Sequence, residues 1–136
     1  MAKPRIRHIA IFVRDPEKVA KFYQDVFDME LIHTRPSGER FVSDGHINLA
    51  ILPHRLTASA APGLNHIGFH VDSIDEIGKR IEKTGVEAPK KRPADRPYAE
   101  QRACDPEGNM FDLSELGFQV ALSNEEKDKQ KRKVPA

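Results

Sequence analysis

The chain has 136 residues, and 22 Lys and Arg against 21 Asp and Glu leave a formal net charge of +1. That balance excludes a global electrostatic case for a nucleic-acid or membrane partner, and 38% hydrophobic with 32% charged residues is the make-up of a soluble globular chain. A single cysteine, Cys104, excludes an intramolecular disulfide framework, no apolar run approaches the ~20 residues that span a bilayer, and MAKPRIRHIAIFV lacks a signal-peptide pattern, so a cytoplasmic location is expected.

The first expected element is HIAIFV (8–13), a short strand of β-branched and aromatic residues. A helix follows. Asp15 suits its N-cap and Pro16 its first turn. Val19, Phe22, Tyr23, Val26 and Phe27 recur at i, i+3, i+4, i+7 and i+8 as one apolar face. Strands are expected at MELIHT (29–34), ERFVS (39–43) and HINLAIL (46–52), separated by Pro36-Ser37-Gly38 and Asp44-Gly45. PHRLTASAAPG (53–63) has the composition of a linker.

HIGFHV (66–71) then repeats the opening strand. Placing His8 on His66 aligns HIAIFVRDPEKVAKFYQDVF with HIGFHVDSIDEIGKRIEKTG without a gap. Ser73 and Glu76 form an S-x-x-E capping box, Ile74, Ile77 and Ile81 the apolar stripe, and Gly85 the stop. Strands are expected at VEAPKK (86–91), EQRACD (100–105) and NMFDLSE (109–115), the last two around the Asp105-Pro106-Glu107-Gly108 turn. The order is βαβββ twice, an α+β chain. Residues 123–136 mix many charges with almost no apolar side chains and are expected to form a charged, disordered tail.

Side chains alternate faces along a strand. In four of the strands the odd positions are aliphatic or aromatic: Ile9, Ile11 and Val13; Ile47, Leu49 and Ile51; Ile67, Phe69 and Val71; Phe111 and Leu113. The even positions hold His8, Ala10 and Phe12; His46, Asn48 and Ala50; His66, Gly68 and His70; Met110, Asp112 and Ser114. The odd face suits packing under two helices. The even face has the mixture of a concave wall lining a wet pocket. A lone strand histidine is more often structural. Two at equivalent repeat positions, in phase with an acid, point to a 2-His-1-carboxylate site for a divalent ion such as Fe, Mn, Ni or Zn.

Three stretches resemble one family. HIAIFVRDPEKVAKFYQDVFDMEL is similar to the opening strand and helix of the vicinal oxygen chelate superfamily, which includes glyoxalase I, methylmalonyl-CoA epimerase, fosfomycin and bleomycin resistance proteins and extradiol dioxygenases. GLNHIGFHVDSIDE resembles the start of its second module and DPEGNMFDLSE its closing hairpin. The resemblance spans residues 5–118. It implies paired βαβββ modules forming a partly closed, barrel-like sheet with helices on the outer face, often in homodimers. On this reading the domain is 1–122, with module one at 5–52, the linker at 53–63 and module two at 64–118. The implied metal ligands are His8, His66 and Asp112, where the family usually has Glu at the last position. Glu115 is the alternative, but its odd parity points it to the other face. The fourth ligand of glyoxalase I and the epimerase falls on Ala50, which cannot ligate. The resemblance therefore favours three-ligand members, with extradiol-type ring cleavage as the leading reaction. A metal-free small-molecule binder like the bleomycin resistance proteins, and a glyoxalase I-type lyase or isomerase, are the alternatives.

Further site candidates are His70, a general base near neutrality, and Tyr98, a loop donor to a bound oxyanion. Phe12, His46, Asn48 and Arg102 complete the expected substrate pocket, Arg102 as an anion contact. Cys104 has no histidine partner evident in the sequence, so thiol catalysis is not expected. The expected partner is a small-molecule substrate.

Overall fold

The computed structural model describes residues 3–56, 61–93 and 99–116. The order is β1 (Arg5–Val13), α1 (Pro16–Phe27), β2 (Glu30–Thr34), β3 (Arg40–Ser43), β4 (Asn48–Pro53), β5 (Gly63–His70), α2 (Ile74–Lys83), β6 (Lys90–Lys91), β7 (Gln101–Cys104) and β8 (Met110–Ser114). A single 3-10 turn, His54–Leu56, follows β4. The expected tail and the residues around Tyr98 lie outside the described residues. Among the described residues no helix is long and apolar enough to cross a membrane.

The helices start where their caps dictate. The Asp15 carboxylate accepts the Lys18 N–H at 3.1 Å, and Pro16 opens α1. The Ser73 hydroxyl accepts the Glu76 N–H at 3.1 Å at the start of α2. Each satisfies one donor that a helix start leaves open. α1 ends at Asp28, whose φ of 54° is left-handed, and its N–H bonds back to Tyr23. At the end of α2 the Gly85 N–H bonds to the Glu82 carbonyl with φ of 85°.

All eight strands join one mixed sheet in the order β2-β3-β4-β1-β5-β8-β7-β6. β2 and β6 are its edges, so the sheet curls without closing. The two halves pair within one chain, through β1 and β5 running antiparallel. β1 pairs β4 in parallel, and β5 pairs β8 in parallel. The repeat is visible in the register. Ala10 faces Ala50 as Gly68 faces Asp112, and His8 and His66 take the same place in each half.

Three expectations shift at the edges of elements. The strand expected from His46 begins at Asn48, because the Asp44 carboxylate accepts the N–H groups of His46 and Ile47 at 2.8 Å each and turns the chain there. VEAPKK contributes only Lys90 and Lys91 to an edge strand. On α1, Ala20 is buried against Val42 and Ile51, flanked by Val19 and Tyr23. Phe22, Val26 and Phe27 stay 53–61% exposed, and the Phe22 and Phe27 rings contact Tyr23 and each other. Beneath α2, Ile77 and Ile81 face Ile67, Phe69, Phe111 and Leu113 across an open apolar cleft of about 630 Å³.

Candidate metal centre

The centre lies on the even face of the sheet. One rung of hydrogen-bonded strands lines up Asn48, His8, Gly68, Asp112 and Arg102, with His66 one pleat along β5 beside Ala10. Gly68 makes the rung possible. A Cβ built there would land in the His8 ring, so only glycine leaves the imidazole its place across β5. A second local device sets His66. The β1–β5 register shifts between Ala10 and Ile11, leaving Asn65 as an extra residue on β5. The Asn65 amide oxygen accepts from His66 Nδ1 at 2.7 Å. That bond puts the hydrogen on Nδ1 and turns the Nε2 lone pair to the cluster.

Asp112 Oδ2 lies 3.1 Å from His66 Nε2 and 3.6 Å from His8 Nε2. The two rings meet edge to face with centroids 5.3 Å apart. The three donor atoms lie within 4.8 Å of one another. Asp112 is sealed, with 1% of its side chain exposed. Its carboxylate is held from the far side by Arg102, whose Nε donates to Oδ1 at 2.6 Å and Nη2 to Oδ2 at 3.2 Å. Arg92 Nη1 stands 3.8 Å from Oδ2.

Two pKa values respond. Burial lowers that of His8 and outweighs the opposing hydrogen bond to Asp112, so the imidazole is neutral near neutral pH. Burial would push Asp112 up, but its close contacts with His66, His8 and Arg102 hold its carboxyl well below the usual carboxylate range. The acid is therefore ionised and His8 deprotonated, the forms that ligate a metal.

The donor set fits a divalent ion. Two donors each ~2.1 Å from one ion at tetrahedral or octahedral angles are about 3.0–3.4 Å apart. The observed His66–Asp112 distance of 3.1 Å falls in that range, and the His8–Asp112 distance of 3.6 Å is slightly longer. The His66–Asp112 contact also sets a lone pair against a carboxylate oxygen, which requires a proton or a cation between them. Two imidazoles and a carboxylate suit borderline metals such as Fe, Mn, Ni, Co or Zn. Ala50 holds the place that mirrors Asp112, so the first half adds no fourth ligand there.

The other candidates are distributed differently. Glu115 leaves the inner face, as its parity requires, and its Oε2 accepts the Ile74 N–H at 2.7 Å at the start of α2. His70 is four residues along β5, about 13 Å from His66 by strand rise, and its Nε2 meets the Glu115 carbonyl at 3.2 Å. Asn48 is buried beside His8. Phe12 lies further up β1 with its ring edge against His54. His46 is exposed in the turn before β4. Arg102, expected to meet substrate, binds Asp112 instead, because antiparallel pairing places the two opposite each other. Tyr98 is outside the described residues. The sequence reading missed Asn65 and the roles of Gly68 and Arg102. Counting outward from the 105–109 turn in antiparallel register puts 102 opposite 112, so the arginine clamp was countable.

Comparison with known proteins gives a consistent picture. The profile of the Glyoxalase/Bleomycin resistance protein/Dioxygenase superfamily matches residues 5–113. A Bacillus subtilis (strain 168) protein named a probable trivalent organoarsenical cleaving enzyme is 30% identical over 132 residues, covering 90% of this chain and 84% of its own. The fosfomycin resistance protein FosX of Mesorhizobium japonicum is 29% identical over 119 residues, covering 79% and 83%. Among solved structures, a methylmalonyl-CoA epimerase in complex with methylmalonyl-CoA superposes with a TM-score of 0.58 at 22% identity, covering 90% of this chain and 99% of its own. At that identity the likeness speaks to the fold.

Proposed function

The chain belongs to the Glyoxalase/Bleomycin resistance protein/Dioxygenase superfamily, and on that premise we propose that it is a divalent-metal-dependent enzyme acting on a small substrate with vicinal oxygens. The supporting observation is the convergence of His8 Nε2, His66 Nε2 and Asp112 Oδ2. Modules at 5–52 and 64–118, and assembly as a homodimer, belong to the same reading. A bound ion would act as a Lewis acid toward the substrate oxygens. The chain's residues prepare for that. Asn65 fixes the His66 tautomer. Burial keeps His8 free of a competing proton. Arg102 orients the carboxylate. Asn48, opposite His8 on β4, is the polar neighbour on the same rung, and Phe12 lies four residues along β1.

Three protein ligands leave positions for a bidentate substrate, and extradiol-type ring cleavage is the leading reaction by that count. The names of the Bacillus and Mesorhizobium relatives put organoarsenical cleavage and fosfomycin modification in the same screen. One observation favours a second reading, a metal-free small-molecule binder: Arg102 already satisfies both oxygens of Asp112. Elemental analysis of untagged protein separates the two. The enzyme reading expects near-stoichiometric metal, lost in His8→Ala and His66→Ala with the fold intact. Oxygen uptake with catechols, measured in air-saturated buffer after anaerobic Fe(II) loading, then tests the reaction. No metal, and no rise in Tm with Fe(II), Mn(II), Ni(II) or Zn(II), supports the binder.

A further inference from the structure

Arg102 offsets the charge of the carboxylate in the centre. Among the described residues the cluster holds one carboxylate, Asp112. Arg102 grips it with two bonds, Nε to Oδ1 at 2.6 Å and Nη2 to Oδ2 at 3.2 Å. Paired guanidinium–carboxylate bonds are among the strongest charge-assisted contacts, and arginine stays charged at every working pH. The pair therefore sums to zero. Two ligating imidazoles are neutral. A divalent ion placed between His8, His66 and Asp112 would keep both its charges uncompensated by these groups, and Arg92, 3.8 Å from Asp112 Oδ2, adds a further positive charge. It would do so where Asp112 has 1% and the two histidines 10–11% of their side chains exposed. Charge in that setting is strongly disfavoured unless matched.

We infer that Arg102 makes metal uptake conditional on an anionic oxygen chelator, so that ion and substrate bind as a charge-matched set and dianions are selected over monoanions and neutral diols. This rests on the metal-centre reading above and narrows its substrate class. Asp112 Oδ2 has one lone pair toward Arg102 and another toward the imidazoles, so the clamp persists while the carboxylate ligates. The missing charge must then come from the substrate. Ala50 deepens the requirement, because a carboxylate at that mirrored position would have supplied it from the protein.

The test is equilibrium dialysis of the untagged full chain at matched free Mn(II), alone, with oxalate, or with oxamate as the monoanionic isostere. Wild type should bind Mn(II) about tenfold or more tightly with oxalate than without, and oxamate should fall between. Arg102→Gln removes the two-bond clamp on Asp112 and leaves Arg92 at 3.8 Å as its remaining cation. It should bind Mn(II) alone about tenfold more tightly than wild type and lose most of the oxalate gain. Arg102→Lys, which retains the charge, should keep the wild-type dependence and guards against a folding defect in Arg102→Gln. An oxalate gain absent from wild type, or equal in wild type and Arg102→Gln, overturns the inference while Mn(II) binding lost in His8→Ala leaves the metal centre standing. No Mn(II) bound under any condition removes both.

Discussion

The two halves share a plan and divide the labour. Each opens with a histidine-bearing strand, passes through a capped helix and closes with a strand parallel to the first. In the first half, Ile51 and Val42 are fully buried under α1 and Ala20. In the second, α2 has no fully buried residue and stands over an open cleft. The chemistry is skewed the other way. The second half supplies His66, Asp112, the glycine beneath His8 and the arginine clamp, whereas the first supplies His8 and Asn48. A duplicated scaffold thus holds its packing mainly in one copy and the polar groups of the candidate centre mainly in the other. A buried polar cluster also needs more specific support than a buried apolar one, since each unmatched group carries its full desolvation cost.

Cutting the polar side should do most damage. Asp112→Ala leaves Arg102 and two imidazoles around a void, and should lower stability by about 3–5 kcal/mol in urea unfolding and abolish metal uptake. Its mirror Ala50 has no such group to lose. The packing contrast predicts the next effect. Ile51→Ala should cost about 2–5 kcal/mol, while Ile81→Ala on α2, half-buried over the cleft, should cost about 1 kcal/mol. Similar losses at the two sites would erase the contrast. Gly68→Ala should cost about 1–3 kcal/mol through the displaced His8 ring and weaken metal binding, although its repeat partner Ala10 carries the same methyl without conflict.

The smallest effect is on pH. His8 has a lowered folded pKa, so the unfolded chain takes up its proton first. That contribution is complete above 6.5 and declines as the pH falls below it. Asp112 is lowered from 3.8, so its contribution is present above that value and is lost on further acidification. Urea midpoints from about pH 8 to about pH 5 should fall in wild type and fall less in His8→Gln. An unchanged slope would show that His8 is not desolvated as described.

Much of this was legible in the chain because it is written in local rules. Asp15-Pro16 and Ser73 mark helix starts, and strict alternation in 8–13, 66–71 and 110–114 separates a helix-facing side from a side with histidines and an acid. What escaped was set by neighbours. The periodicity of Phe22, Val26 and Phe27 names an apolar face, but the width of sheet available to α1 decides how much is covered. His46 is in phase with Asn48, yet the Asp44 carboxylate takes its amide and ends the strand before it. Arg102 reads as a contact for a substrate anion until the hairpin register sets it on Asp112.

The seam between β1 and β5 carries a consequence for origin. In repeat positions, His8 sits opposite Gly68, the counterpart of Ala10, and Ala10 sits opposite His66, the counterpart of His8. The pairing is therefore self-complementary, the form taken by an isologous contact between identical subunits. A single βαβββ unit meeting its own copy along this strand would rebuild the central sheet and bring two histidines together. Fusion of two such units would then have freed each to diverge, and the acid and its arginine belong to only one of them.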